Sequence, residues 1–422
     1  MPDGDRSPER APSGPFLSRP SQESTSPVSP SQPLPSPHPA ARPAGRRRPV
    51  APARRRPALA FAVATAAALL LAACTHAPAP RSGVAASGST SSRTPGAATP
   101  EASDADARDA LSLSGPAEAA TVPDVTAATK DPKPSLPTTV KDAAGASVTV
   151  SSADRILALD LYGTLTDTVI GLGLADRLVG RSNADTQTVL KDLPVVTQSG
   201  HDLNTEAVLS LEPTLVLTNA TIGSEEKYAQ LEAAGVTVVR FDQTPSLEGI
   251  DDTIDAVGRA VGLPRAAEAL AKRTDDEMHL AKESVAALRS ATPVAPRAVV
   301  LYVRGTAGVF FVLGKDYGAS DIIDALGLED TAAENGITQL KPANAEALVR
   351  LDPQIVLAMR DGVRSTGGVD GLLKRPGMAA TSAGSMRRVV TAADGQLLAY
   401  GPRTPANLVA LARAVYTDGD AS

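Results

Sequence analysis

The chain has 422 residues, 42% of them apolar and 21% charged, a balance that excludes both wholesale disorder and a polytopic membrane protein. A single cysteine excludes an intrachain disulfide and a cysteine-built zinc or iron–sulfur cage, and 3% aromatics with no tryptophan argues against a site of stacked rings. The net charge of −6 is uneven: residues 1–73 hold ten arginines and four acids, leaving +6 there and −12 on the rest, an acidic body poorly matched to nucleic acid.

Residues 1–45 are rich in Pro, Ser and Arg and have no core to fold around. Two arginine clusters (RRRPVAPARRRP) then precede a 16-residue apolar run, ALAFAVATAAALLLAA, which ends at Cys74. A basic stretch before an apolar run too short to span a bilayer is a secretory signal. Leu71-Ala72-Ala73-Cys74 resembles the bacterial lipobox, and that resemblance implies a diacylglyceryl thioether on Cys74 and cleavage before it. Residues 1–73 are therefore expected to be a disordered stretch plus a lipoprotein signal peptide. General and twin-arginine export both suit the paired arginines. Residues 74–133 lack apolar periodicity and are predicted to be a flexible tether.

The pattern changes near Pro134, and residues 134–246 are predicted to form an N-terminal lobe. VKDAAGASVTV predicts a hairpin turning near Gly145. RILALDLYG predicts a buried strand running into a glycine, and TLTDTVIGLGLADRLVG a helix ended by glycines. Alternating strands and helices indicate a parallel α/β sheet. Residues 247–290 predict a long linking helix. Ile250, Ile254, Val257 and Val261 form one apolar stripe, Gly262 breaks it, and Pro264 restarts it. Leu270, Thr274, Met278, Ala281, Val285 and Leu288 continue along one face. Residues 291–422 then form a C-terminal lobe.

An internal repeat supports the two-lobe reading. LNTEAVLSLEPTLVL (203–217) and ANAEALVRLDPQIVL (343–357) match at seven of fifteen positions without a gap. Each copy reads as an N-capped helix, a proline stop and a buried strand. The expected fold class is α/β, with two parallel-sheet lobes joined by one long rigid helix. Ligands of such sheets sit where the carboxyl ends of the strands converge.

This arrangement resembles the helix-linked substrate-binding proteins of ABC importers for cobalamin, siderophores and haem. Within them it resembles the haem-binding lipoproteins. The segments that carry the resemblance are RILALDLYGTLTDTVIGLGLADRLVGRS, LPVVTQSGHDLNTEAVLSLEPTLVL, VVLYVRGTAGVFFVLGKDYGASDIIDALG, GGVDGLLKRPGMAATSAGSMRRVV and LLAYGPRTP. Together they extend over about residues 134–418. ALDLYGT departs from the small-residue loop of that group and puts Tyr162 in line to occupy pocket space.

The resemblance implies haem as the transported ligand, with His201 and Tyr302 as axial ligands of its iron, one from each lobe, and Arg304 supporting a tyrosinate. Residues i and i+2 share a strand face, so the guanidinium lies within reach of the phenol oxygen. Phenolate is a hard anionic donor suited to ferric iron, and imidazole completes a six-coordinate site. Propionates call for cationic partners, and Arg181, Lys315, Arg360, Arg364 and Arg403 all lie in loops at strand ends; Arg403 in YGPRTP has the best case by resemblance, and holding its loop in shape is an equal alternative for it. Glu206 and Glu346, matched by the repeat, are implied to dock on a permease dimer with its ATPase, although glutamates in a first helical turn also suit the macrodipole.

The expected protein is a monomer, lipid-anchored on the extracellular face of the cell membrane, with no nucleic-acid partner and no catalytic role. No Gly-x-Ser-x-Gly, His-Glu-x-x-His or phosphate-loop motif occurs. The competing readings are a ferric-siderophore or corrinoid binder of the same fold, and a haem-dependent enzyme. A binder of bare zinc or manganese would need more histidines than the body holds.

Overall fold

The computed structural model describes residues 106–198, 201–242, 245–306 and 308–418. Cys74 and the signal region lie outside them. The first ordered strand, β1 (Ala117–Glu118), falls inside the expected tether and corrects it. It pairs in parallel with a strand near the C-terminus, Ala117 opposite Val390. The segment around it is a strap across both lobes. Ala110, Ala119 and Val122 are buried, and the Arg108 amide donates to the Tyr416 carbonyl at 2.8 Å. Asp124 accepts from the amides of Thr188 and Val189 at 2.8 and 3.0 Å, and the Val125 amide donates to Gln187 Oε1 at 2.7 Å. Few of these contacts involve large apolar side chains, so hydrophobic periodicity carries no trace of them.

The N-terminal lobe opens with the predicted hairpin, β2 (Thr138–Lys141) and β3 (Ser147–Val150), turning through Gly145. Strand β4 (Ile156–Leu159) follows, then α1 (Thr164–Gly171), shorter than the sequence pattern suggests because its backbone turns at Leu172-Gly173. A small hairpin of β5 (Thr197–Gln198) and β6 (Asp202–Leu203) leads into α2 (Thr205–Ser210), β7 (Leu215–Thr218), α3 (Glu225–Ala233) and β8 (Thr237–Arg240). The lobe's sheet is parallel, in the order β4-β7-β8.

The link is two helices, α4 (Ile250–Ala260) and α5 (Pro264–Arg289), with Gly262 between them at φ +71°, a left-handed turn that L side chains resist. All ten residues of the predicted stripes are buried. At 1.5 Å per residue, the 26 residues of α5 form a strut about 39 Å long.

The C-terminal lobe begins with β9 (Arg297–Arg304), β10 (Val309–Leu313), α6 (Ala319–Ala325), β11 (Glu329–Asp330), α7 (Thr331–Glu334) and β12 (Lys341–Pro342). It continues with α8 (Ala345–Leu351), β13 (Ile355–Met359), α9 (Arg360–Ser365), α10 (Gly368–Leu373) and α11 (Ser382–Met386). Strand β14 (Val389–Ala392), α12 (Asp394–Leu397) and α13 (Thr404–Tyr416) complete it. The sheet order is β1-β14-β13-β9-β10-β12, with β11 also on β9. It is mixed rather than purely parallel, because β10 folds back antiparallel on β9 and β12 on β10.

Alternation along the strands sets the layers. Val299, Leu301 and Val303 face the C-terminal lobe's outer helices, whereas Ala298, Val300 and Tyr302 face the core shared with α5 and α13. In the N-terminal lobe, Leu157 and Leu159 face a separate outer core, and Ile156 and Ala158 the shared one.

The repeat extends to individual hydrogen bonds. Asn204 caps α2 by accepting from the Ala207 amide at 3.0 Å, and Asn344 caps α8 by accepting from the Ala347 amide at 2.9 Å. Arg155, preceding β4, donates to the Leu211 and Glu212 carbonyls at the end of α2, while Arg297 at the start of β9 donates to the Asp352 carbonyl at the end of α8. Both helices leave through a positive φ, at Glu212 and Asp352.

Candidate ligand cleft between the lobes

The carboxyl ends of β4, β7 and β8 face a cavity of about 470 Å³ lined by Tyr162, Asn219, Phe241, Asp252, Arg259 and Tyr400. A second, of about 430 Å³, lies between the strap (Thr121–Asp124), Thr186 and Thr188 of the N-terminal lobe, and Arg360, Asp394 and Arg403 of the C-terminal lobe. Neither is lined by His201 or Tyr302, which stand on opposite lobes.

His201 is exposed on the β5–β6 turn, and its carbonyl accepts from the Gly223 amide at 2.8 Å. Among the described residues nothing hydrogen-bonds its imidazole, so the ring is available to a ligand. Tyr302 is half-buried near the end of β9, and the Arg304 guanidinium lies 5.6 Å from its ring centroid. Arg304 also pairs with Asp394. Burial works against the Arg304 charge, but Asp394 and then the Tyr302 phenol outweigh it, and its pKa is raised. Tyr162 is 6% exposed, and burial first, then Tyr317, Asp160 and Tyr302, push its phenol up. Tyr400 donates to the Gly318 carbonyl. These four tyrosines form a phenol cluster between the lobes.

The cationic candidates divide by partner. Arg403 is 6% exposed, and its Nε donates to Asp167 of α1 at 2.7 Å while Nη2 reaches the Gly395 carbonyl at 3.2 Å. It ties the two lobes together while also lining the second cavity. Arg360 pairs with Glu118 of the strap, and Arg364 lies near Glu118 and Asp361. Glu206 and Glu346 are exposed in the first turns of α2 and α8, at matching places.

Sequence reasoning missed the acidic group beneath this cleft. Asp160, one residue past β4, accepts from the amides of Tyr162, Thr164 and Leu165, bonds that pull its pKa down, yet burial keeps it raised. Burial and then Asp160 push the Asp185 carboxyl up to about 7, and burial holds Asp167 at about 6 against the pull of Arg403. A carboxyl raised on folding takes up a proton. The stability it lends is whole below its unfolded value of 3.8 and is lost as pH rises through its folded value. The urea midpoint should therefore fall between pH 5 and pH 8, with Asp185 alone contributing roughly 4 kcal/mol across its full range. Asp185→Asn should flatten most of that slope; a midpoint that rises with pH would contradict the assignment. A buried strand running straight into Asp-x-x-Gly was the available signal.

Among the described residues, no group of three His, Cys, Asp or Glu side chains is placed to hold a bare metal ion, and no helix is long and apolar enough to cross a membrane.

Two lobes with strand ends facing each other across a helical strut define a ligand-capturing protein. Residues 160–394 match the periplasmic binding protein family. The chain belongs to that family, whose members bind and deliver solutes outside the cytoplasm rather than transform them. It is similar to the crystal structure of heme binding protein HmuT, at 45% identity with a TM-score of 0.71, over 73% of this chain and 99% of that one. It is 26% identical to the uncharacterized ABC transporter substrate-binding lipoprotein YvrC of Bacillus subtilis, over 67% of this chain and 87% of that protein. It is 30% identical to a cobalamin-binding protein of Halobacterium salinarum, over 59% of this chain and 66% of that protein's length.

Proposed function

We propose that the protein captures haem outside the cytoplasm and delivers it to an ABC importer, with His201 and Tyr302 as axial ligands from opposite lobes. The observation that carries this reading is the Tyr302–Arg304 pair. The Arg304 guanidinium lies against the Tyr302 ring, where it would be a positive neighbour to a phenolate bound to ferric iron, the metal such a hard anionic donor suits. The exposed imidazole on the other lobe supplies the second ligand without breaking an existing hydrogen bond. The 45% identity to a heme binding protein over nearly its whole length supports haem above a corrinoid. Tyr162 lines the pocket in this reading.

Ligands on opposite lobes make bound haem a bridge, so drawing the lobes apart weakens an iron bond and releases the cargo. The exposed pair Glu206 and Glu346, related by the internal repeat, suits docking on a two-fold permease coupled to its ATPase. A lipid on Cys74 would hold the protein at the membrane.

Absorption titration of the full chain with hemin tests the ligands. A saturable Soret band is expected, with His201→Ala and Tyr302→Ala each weakening binding at least about tenfold, or 1.4 kcal/mol. Wild-type affinity in both variants would remove the proposed site. A response to cobalamin with none to hemin would favour the corrinoid reading that the Halobacterium salinarum relative suggests.

A further inference from the structure

We infer that Asp394 is a positioning residue for the ligand-binding tyrosine: its carboxylate clamps the Arg304 guanidinium in place over the Tyr302 ring. The inference rests on the reading of Tyr302 as an iron ligand and adds to it a residue some 90 positions away in sequence.

Asp394 begins α12, directly beyond the end of β14. One carboxylate oxygen, Oδ2, takes the Nη2 side of Arg304, and the other accepts from the Asp361 amide at 3.3 Å. The carboxylate is thus itself tethered to the first turn of α9. Its side chain is 18% exposed, against 36% for Arg304. The guanidinium is confined on a further side by Gly362, where a Cβ would stand 3.5 Å from Arg304 Nη1 and 2.4 Å from the Val303 carbonyl oxygen. Glycine at 362 leaves the backbone of α9 free to close over the strand.

An arginine this exposed would otherwise sample several rotamers and turn its donors to water. A guanidinium carries five donors in a fixed fork, so engaging one edge with Asp394 determines where the others point. Asp394 also balances part of the charge, which makes Arg304 an oriented partner of the phenol rather than a loose cation. The carboxylate acts on the phenol through Arg304.

The test is a double-mutant cycle on the hemin-loaded full chain, read by the phenolate-to-iron charge-transfer band and by the rate of haem transfer to an apoprotein acceptor. Asp394→Ala should weaken the band and speed haem loss about five- to tenfold. Asp394→Glu should recover part of both. In an Arg304→Ala background, Asp394→Ala should add less than a twofold change. If Asp394→Ala fails to fold, Asp394→Asn takes its place in the cycle, with at least a twofold faster loss expected. A wild-type band unchanged by loss of the carboxylate overturns the inference, as does an equal effect in the Arg304→Ala background. A wild type that binds hemin without a phenolate band overturns instead the ligand assignment on which it rests.

Discussion

Arg403→Met should cost about 3–5 kcal/mol at pH 8, the largest stability loss expected from any single side chain described above. The Arg403–Asp167 pair is unlike the ion pairs on the surface. Its two side chains are 6% and 3% exposed, it joins α1 of one lobe to the segment entering α13 of the other, and Gln187 donates to the second Asp167 oxygen. Removing the guanidinium leaves a carboxylate deep in the protein without its counter-charge, which costs far more than the pair is worth intact. The loss should shrink at pH 5. Asp167 is held at about 6 with Arg403 present, and without the guanidinium it climbs further, so at pH 5 the variant carries a neutral acid there. Asp167→Leu combined with Arg403→Met should recover much of the stability, because no charge is then stranded. Urea midpoints of the three variants at both pH values check this; a loss below about 1 kcal/mol, or one equal at both pH values, would show that solvent reaches the pair.

Starting the chain at Lys133 should lower stability by about 3 kcal/mol, or roughly 5 °C in Tm. The strap contributes three buried side chains, Ala110, Ala119 and Val122, and it covers the outer edge of β14. Without it that edge presents unpaired amides and carbonyls, an invitation to associate with another chain. The amides of Thr188 and Val189 give a site-specific readout, because both donate to Asp124 of the strap. Their hydrogen exchange should accelerate by orders of magnitude in the shortened chain while β7 and β13 stay protected. Equal protection of these two amides with and without the strap would mean that it merely lies on the surface.

What could be read from the sequence followed periodicity and punctuation. The stripes of α4 and α5, the Gly262–Pro264 break and the Asn caps of α2 and α8 are local signals, and the structure shows each of them. The strap was illegible because its order is borrowed. A two-residue strand on another sheet's edge, and carboxylates on distant amides, leave no local pattern. The antiparallel return of β10 lay hidden in an apolar run that reads the same in either direction of pairing. At the cleft, Tyr302 and Arg304 stand two residues apart on one strand and were visible as a pair through the family resemblance. Asp394 sits in an Ala-Ala-Asp-Gly stretch that looks like any turn, and only the adjacency of β9 and α12 gives it a role. Arg403 was visible as a charge, but its burial against α1 was not.

The phenol cluster has a spectroscopic consequence. The protein has six tyrosines and no tryptophan, and Tyr162, Tyr302, Tyr317 and Tyr400 gather where the lobes meet. Its native ultraviolet emission therefore originates mostly at the place where cargo would sit, with only Tyr228 and Tyr416 in the remote interior of the fold. A bound chromophore would quench the greater part of that light, so the unlabelled protein carries its own occupancy gauge.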